Sequence, residues 1–332
     1  MKKQNGMTLV EMMISLSVFT ILVAIIFTSL STFSKIFSST DATNQLKSYS
    51  ESAVNKMGLR LSECKRLFEN TSQDTPFLSR ITGIDSPLPG SRLPKIEETG
   101  SLIPGDSLFN ASSVGNSLFF TNTEYPEILK NISDGISNTN TVRIDAYIFN
   151  YYYLTQTTQY TLGNTPGIRL MEWHSVQYAD YTQINAITNA TKKSNTIIAL
   201  RNNNILYAWD PTVTSPSSAF YSLNTGGSMS GVSGHMIQQD TQKEMTKFAR
   251  GILWGRYRAG ISPNTGGSFT TTQTVPKYAA ASGYFPAGFE IGIIGPRSAH
   301  RVFIRMVLAA EGPSNLKVAY ENTVLISARN LW

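Results

Sequence analysis

An uncharged apolar segment near the N-terminus limits what this 332-residue chain can fold into. Residues 12–30 contain no charged side chain, and the apolar run extends over residues 9–33 with serine and threonine interspersed. A helix that crosses a bilayer core needs about 20 mostly apolar residues. The segment therefore predicts one membrane-spanning helix close to the start of the chain.

A short basic head that contains Lys2 and Lys3 precedes this segment. Positive charge favours the cytoplasmic side, so we expect the rest of the chain to lie outside. A secretory signal would also combine a basic head with an apolar run, but that run would be shorter and end at a small-residue cleavage site. No such site closes this run. An uncleaved anchor explains the span but neither Gly6 nor Glu11.

Glu11 lies just inside the start of the apolar segment. A lone carboxylate within hydrocarbon costs about 2.5–3.5 kcal/mol on insertion scales, so such groups usually have a partner. The sequence has no basic residue between Lys3 and Lys35, so the segment offers no local partner. Cleavage after Gly6 would create an α-amine on Met7, and another chain could bring that cation to Glu11.

The stretch Gly6-Met7-Thr8-Leu9-Val10-Glu11 resembles the type III signal of type IV prepilins and type II secretion pseudopilins. The resemblance implies that a prepilin peptidase cleaves after Gly6 on the cytoplasmic side and then N-methylates Met7. It also implies that Glu11 pairs with the N-terminal amine of a neighbouring subunit during assembly. Phenylalanine is commoner than methionine at the position of Met7. Thr28 stands where many major pilins have proline, which favours a minor subunit or a pseudopilin.

Apolar residues recur at spacings of three and four beyond the membrane segment, at Leu46, Tyr49, Ala53, Met57, Leu61, Cys64 and Phe68. This amphipathic stripe predicts that the helix continues to about residue 70. Residues 1–6 would be the leader, 7–36 the transmembrane or filament-core helix, and 37–70 the half that packs on a sheet. Cys64 is the only cysteine, so an internal disulfide is excluded, and we expect it in the core.

Residues 71–332 predict a β-rich globular domain with insertions. The candidate strands are 117–121, 142–154, 168–177, 196–209, 251–258, 288–294, 301–310 and 316–329. We expect an irregular connection over 71–115, a loop over 212–234, and a hairpin turn at Asn202, Asn203 and Asn204. A long helix followed by strands indicates an α+β fold with the helix packed on an antiparallel sheet.

The later strands extend the resemblance. Residues 150–154 and 167–172 are similar to paired strands of J-type pseudopilins and PilW-type minor pilins, and residues 322–330 are similar to the terminal PilW-type strand. The resemblance implies other pilin or pseudopilin subunits and an inner-membrane assembly platform as partners, besides the prepilin peptidase. Segments 71–115 and 178–277 lie outside it.

The sequence shows no recognisable catalytic or metal-binding motif. His174, His235 and His300 are far apart along the chain, and we expect ordinary strand or loop histidines. The glycine-rich residues 224–235 lack the lysine of a phosphate-binding loop. We therefore predict a protein that is not an enzyme and uses no cofactor or metal.

Basic residues are concentrated between Lys243 and Arg305, where we count nine lysines and arginines but only two acids. Aromatic residues lie between them, and such a combination could bind nucleic acid or an acidic partner subunit. The alternative is a solvated strand face above core aromatics. Arg256, Arg258 and Arg301 are the candidate ligand surface.

Three functions follow as hypotheses. The first is a minor pilin or pseudopilin that enters a filament after leader cleavage, starting as a single-pass inner-membrane protein and ending in a cell-surface pilus or periplasmic pseudopilus. The second is a pilus-tip adhesin or DNA-binding module, and the third is an anchored exported enzyme. Pili and secretion pseudopili share this N-terminus, so the sequence leaves both open.

Overall fold

The computed structural model describes residues 8–97, 112–162, 165–245, 258–261, 288–296, 299–311 and 317–328. Its first element is the 54-residue helix α1 (Leu9–Ser62), which at 1.5 Å per residue is about 80 Å long. Three shorter helices follow: α2 (Thr75–Leu78), α3 (Tyr181–Asn185) and α4 (Ala190–Asn202).

Helix α1 ends eight residues before the predicted residue 70. Glu63 forms its C-cap, and Cys64–Phe68 then forms strand β1. The spacing of the apolar residues Leu61, Cys64 and Phe68 suggested a continuing helix, and all three are buried. Strand β1 buries residues on both of its faces, however, so its burial does not follow a helical period. Cys64 is a core residue as predicted, and burial raises the pKa of its thiol.

The remaining strands follow in chain order. They are β2 (Ile96–Glu97), β3 (Leu118–Ile132), β4 (Asn140–Leu162), β5 (Thr165–Ser175), β6 (Tyr178–Asp180), β7 (Tyr207–Trp209), β8 (Phe220–Leu223), β9 (Met229–Gly231), β10 (Gln239–Glu244), β11 (Arg258–Ile261), β12 (Phe289–Ile294), β13 (His300–Glu311) and β14 (Lys317–Ala328).

These strands form one mixed sheet. Strands β1, β3, β4 and β5 are antiparallel neighbours, and β5 also pairs with β10 and β11. Strand β11 leads to β13, which pairs with β12 and, along its whole length, with β14. Only β2 with β12 and β6 with β7 are parallel pairs among the described strands. The predicted α+β class is confirmed, and the sheet is largely antiparallel.

The sheet carries a core on each face. Successive residues of a strand point to opposite faces, so Phe120 and Tyr152 lie in the core under helix α1, whereas Phe119 and Tyr151 lie in the second core. Helix α1 covers the first face over β13 and β14 through Ala53, Val54, Met57 and Leu61 among others. The second core takes side chains from segments 71–95 and 178–237. The segments without a family resemblance therefore complete the fold.

Three local predictions are wrong, at least in part. Residues 196–202 belong to helix α4 instead of a strand, and no hairpin turn occurs at 202–204. Asn189 caps this helix by accepting a hydrogen bond from the Lys192 N–H, and Ile197 and Leu200 are buried at a helical spacing. The predicted loop over 212–234 contains the short strands β8 and β9.

The other strand predictions within the described residues are confirmed, with longer bounds in most cases. The candidate strand 251–258 lies outside the described residues except for Arg258, which begins β11. Segment 71–115 is irregular as predicted where it is described, apart from α2, β2 and isolated bridges at Ile81 and Gly115.

Candidate functional site

Thr8 and Glu11 cap the start of helix α1 reciprocally. The Thr8 N–H donates to Glu11 Oε2 at 2.9 Å, and the Thr8 hydroxyl donates to the same oxygen at 3.0 Å. The Glu11 N–H donates to Thr8 Oγ1 at 3.3 Å. This is a capping box, which satisfies backbone donors of the first turn and places a negative charge at the positive end of the helix dipole.

The capping box leaves Glu11 able to accept more. An ionised carboxylate has about four lone-pair sites, and Thr8 uses two of them. The carboxylate is exposed at the tip of the helix, where an ammonium group from another chain can reach it. Gly6 and Met7, the predicted cleavage and methylation residues, lie outside the described residues. The spacing Thr-x-x-Glu before an apolar run is the sequence signal for this box.

The first half of helix α1 has no cover from the described globular domain. Every residue from Leu9 to Phe37 is exposed except Val23, which is half-buried, and packing on the sheet begins at Ser38. These 29 residues span about 44 Å, which exceeds a hydrocarbon core of about 30 Å. The helix is long and apolar enough to cross a membrane. So large an exposed apolar surface marks contact with lipid or other protein.

Polar side chains within this segment form hydrogen bonds with the backbone of their own helix. The hydroxyls of Ser17, Thr20 and Thr28 each donate to a backbone carbonyl one turn earlier, at 2.8–2.9 Å. Backbone and hydroxyl groups in lipid have no water to bond with, so such internal bonds make these residues compatible with a membrane or a helical filament core.

A buried carboxylate connects the second half of helix α1 to the sheet. Glu172 of strand β5 is fully buried, and the side chains around its carboxylate are Lys56, Arg60, Tyr152, His174 and Lys243. His174 Nε2 lies 2.8 Å from Glu172 Oε1, and Arg60 Nε lies 3.6 Å from the same oxygen. We call these six side chains the Glu172 cluster.

The Glu172 cluster keeps its carboxylate ionised. Burial alone would raise the pKa of Glu172, but hydrogen bonds from His174 and Lys56 outweigh it and hold the pKa at about 2. Two of the cations, Lys56 and Arg60, belong to helix α1. The cluster therefore ties the helix to the sheet electrostatically where the apolar stripe does so by packing. Sequence analysis missed it because its members come from four elements.

The lysine- and arginine-rich residues 243–305 present less unpaired positive charge than their composition suggests. Arg305 is buried, with Nη1 2.6 Å from Glu290 Oε2 and Nε 2.8 Å from Glu321 Oε1. Lys243 Nζ lies 3.5 Å from Glu172 Oε2. Within the described ranges, two of the nine cations, Lys243 and Arg305, are therefore paired with acidic side chains.

The three candidate arginines are not brought together in the described part of the chain. Arg301 is half-buried in β13, Arg258 begins β11, and Arg256 lies outside the described residues. The predicted nucleic-acid or ligand surface formed by these residues stays a prediction.

The other two histidines lie in different surroundings. His235 packs among aromatic rings, with Nε2 3.0 Å from the Tyr178 hydroxyl, and burial together with Arg80 lowers its pKa to about 4. His300 is buried at the start of β13. Over the ranges that the structure describes, no group of three histidine, cysteine or acidic side chains is placed to hold a metal ion.

Comparison with known proteins adds one finding. Residues 1–27 match the family model described as the prokaryotic N-terminal methylation motif, which marks the leader of type IV pilin and pseudopilin precursors. No curated protein and no solved structure matches the chain. The chain thus carries a pilin-type precursor leader joined to an apolar helix, and the PilW-type and J-type resemblances stay predictions.

Proposed function

We propose that this protein is a minor pilin or pseudopilin, a structural subunit that enters a type IV pilus or a type II secretion pseudopilus. The observation that carries the proposal is the methylation motif, which runs directly into a helix whose apolar first half lies outside the globular domain. A prepilin peptidase would cleave after Gly6 and methylate Met7. Before assembly, the subunit would be anchored in the inner membrane, with lipid around residues 7–36.

Assembly would exchange lipid for protein around the same helix. An inner-membrane platform would move the subunit so that helices of neighbouring subunits cover residues 9–37. Glu11 would then accept the charged N-terminal amine of a neighbour while Thr8 keeps the carboxylate oriented. A charge pair of this kind offsets the cost of placing Glu11 in an apolar surround. The Glu172 cluster would hold the globular domain on the helix during this transfer.

The final location follows from the machinery that takes up the subunit. A type IV pilus would carry the globular domain to the cell surface, and a pseudopilus would keep it in the periplasm. A thin filament built from thousands of copies is a poor fit to a domain enlarged by segments 71–95 and 178–237, which contribute to a second core. This bulk favours a minor subunit.

The proposal is tested by incorporation into filaments. Wild-type chain, Glu11→Ala and the control Glu51→Ala are expressed with their native partners, and sheared filaments or crosslinked assemblies are isolated. Glu51 is an exposed acid on the same helix outside the apolar segment. Glu11→Ala should lower incorporation at least about tenfold, since an amine left unpaired in apolar surroundings costs more than the 1.4 kcal/mol that this factor represents.

The leader must still be removed in the Glu11→Ala protein for this loss to report assembly. Incorporation of Glu11→Ala at the wild-type level, with the leader removed, would contradict the proposal. Loss of incorporation in Glu51→Ala as well would show that the defect is not specific to the carboxylate in the apolar segment.

A further inference from the structure

A polar cleft lies where β3, the β5–β6 connection, the turn after α4 and the start of β10 meet. It encloses about 360 Å³, which is at the lower end of the range for small-molecule sites. Its polar lining includes Glu124, Gln177, Asn204, Tyr207, Gln238 and Asp240. Four of them, Asn204, Tyr207, Gln238 and Asp240, belong to segment 178–277, which lies outside the family resemblance.

Several polar groups of the cleft are free to bind a ligand. The amides of Asn204 and Gln238, the carboxylate of Asp240 and the hydroxyl of Tyr207 make no hydrogen bond to another side chain or backbone group in the described ranges. The first three side chains are exposed, and Tyr207 is half-buried. Together they offer donors, acceptors and groups that do both.

The cleft is held in shape by bonds that these groups do not use. Gln177 Nε2 donates to Glu124 Oε2 at 2.9 Å, while the Tyr125 hydroxyl donates to Gln177 Oε1 at 2.9 Å. The Val176 N–H donates to the Gln238 carbonyl at 3.0 Å. A site formed before the ligand arrives loses less conformational entropy on binding.

Two further contacts fix the residues at the rim. The Asn204 N–H donates to the Arg201 carbonyl at 2.9 Å, and its φ of 65° places it in the left-handed region that asparagine tolerates. The ring of Tyr207 packs on the ring of His235, with centroids 4.3 Å apart. The backbone of Asn204 and the ring of Tyr207 are therefore both held in place.

The charged and apolar side chains of the cleft limit which class of ligand can bind there. Among the described residues, the lining includes the carboxylates of Glu124 and Asp240 and has neither lysine nor arginine, so phosphate groups and nucleic acid are disfavoured. His174 also lines the cleft, but its Nε2 faces Glu172. Leu206 is 38% exposed at the cleft and supplies an apolar contact beside the Tyr207 ring.

We propose that this cleft binds a neutral carbohydrate, such as one or two sugar units of a glycan. A sugar presents neighbouring hydroxyls that both donate and accept, which matches a carboxylate beside amides. Its ring also has a face of C–H groups, which matches Leu206 and Tyr207. A filament subunit with such a site would attach to glycan-coated surfaces in addition to any structural role.

The test uses the full-length chain in nonionic detergent and neutral methyl glycosides of the common hexoses, N-acetylhexosamines and their disaccharides. Saturation-transfer NMR followed by titration should detect at least one of them, with a dissociation constant on the order of 1 mM, as ligands of this size give. A uronic acid, a sugar phosphate and lysine methyl ester are the comparison ligands and should bind at least tenfold more weakly, a factor worth about 1.4 kcal/mol.

Variants locate the site. Asp240→Asn and Gln238→Ala remove exposed side-chain groups and should each weaken binding about tenfold, because each takes away hydrogen bonds to the ligand. Tyr207→Phe removes only a hydroxyl and should weaken binding less. Glu51→Gln, an exposed carboxylate on helix α1, is the matched control and should bind as wild type does. Thermal unfolding verifies that each variant is folded.

Three results would overturn the proposal. The first is that none of the neutral glycosides binds to the folded chain. The second is that the amine or an acidic sugar binds and the neutral sugars do not. The third is that a neutral sugar binds equally to wild type, Asp240→Asn and Gln238→Ala, which would place it elsewhere.

Discussion

His174 Nε2 lies 2.8 Å from Oε1 of Glu172, the buried carboxylate that Lys56 and Arg60 of helix α1 also contact. The Glu172 carboxylate thus contacts both a residue of its own strand, His174, and two cations of helix α1. Lys56 lies 116 positions before Glu172 in the sequence, so this contact joins segments that are far apart along the chain. The Glu172 cluster therefore adds an electrostatic connection between helix α1 and the sheet to the apolar packing of the helix.

Removal of this anion should destabilise the folded chain. Glu172→Gln keeps the shape of the side chain but leaves Lys56 and Arg60 without their buried counter-charge. We expect the free energy of unfolding to fall by about 3 kcal/mol. Urea unfolding of the full-length protein in nonionic detergent measures it. In Glu51→Gln, which removes only an exposed pair with Lys47, a change within about 0.5 kcal/mol is expected.

A similar small effect of Glu172→Gln would mean that the cluster contributes little to stability. Arg60→Gln provides a second check from the helix side, and it should lose part of the same free energy because Arg60 and Glu172 act as partners.

Acid should weaken the fold through the same carboxylate. The hydrogen bonds from His174 and Lys56 lower the pKa of Glu172 from 4.5 to about 2 despite burial. The folded pKa is the lower one, so the ionised group stabilises the protein above about pH 4.5, and that stabilisation disappears as the pH falls toward 2. The lost free energy of unfolding is about 3 kcal/mol.

The difference between wild type and Glu172→Gln isolates this effect. His235 titrates in both proteins, and its burial-lowered pKa of about 4 removes stability between pH 6.5 and 4. The gap in unfolding free energy between the two proteins should therefore stay constant above pH 5 and close toward pH 2. A gap that does not depend on pH would contradict the low pKa of Glu172.

Gly58 offers a stabilising substitution where helix α1 meets β14. A Cβ atom at this position would lie 3.4 Å from Ile326 Cδ1, which is an ordinary contact. Alanine favours helix over glycine by about 1 kcal/mol, so Gly58→Ala should raise the free energy of unfolding by up to that amount. Gly58→Leu should instead lower it by about 1–3 kcal/mol, because a large side chain would separate helix and strand. Urea unfolding measures both changes. If Gly58→Ala lowers the free energy of unfolding, helix α1 and β14 pack too tightly at this position to accept a methyl group.

Sequence patterns predicted the elements whose residues carry a local signal. Residues 9–33 predicted an apolar helix, and residues 142–154 predicted a strand that the structure extends into β4. The stripe from Leu46 to Leu61 predicted the helix face that packs on the sheet. In that stripe, the burial of residues along the helix follows the helical period.

Where local patterns are ambiguous, tertiary pairing decided the outcome. Cys64 to Phe68 continued the helical spacing, but pairing with β3 made this segment a strand. Thr196 and Ile197 are β-branched and suggested a strand, whereas the Asn189 cap and a buried helical face made helix α4. The Glu172 cluster and the polar cleft join residues far apart in the chain, so no local pattern predicted either of them.

The most direct test of the proposed function is the mass of the mature N-terminus. The full-length chain is expressed in cells with and without a prepilin peptidase, purified from membranes and analysed by mass spectrometry of its N-terminal peptide. With the peptidase, we predict a chain that lacks residues 1–6 and begins with N-methylated Met7; without it, the chain should retain Gly6. An N-terminus other than Met7 in the presence of the peptidase, or an unmethylated Met7, would contradict the account.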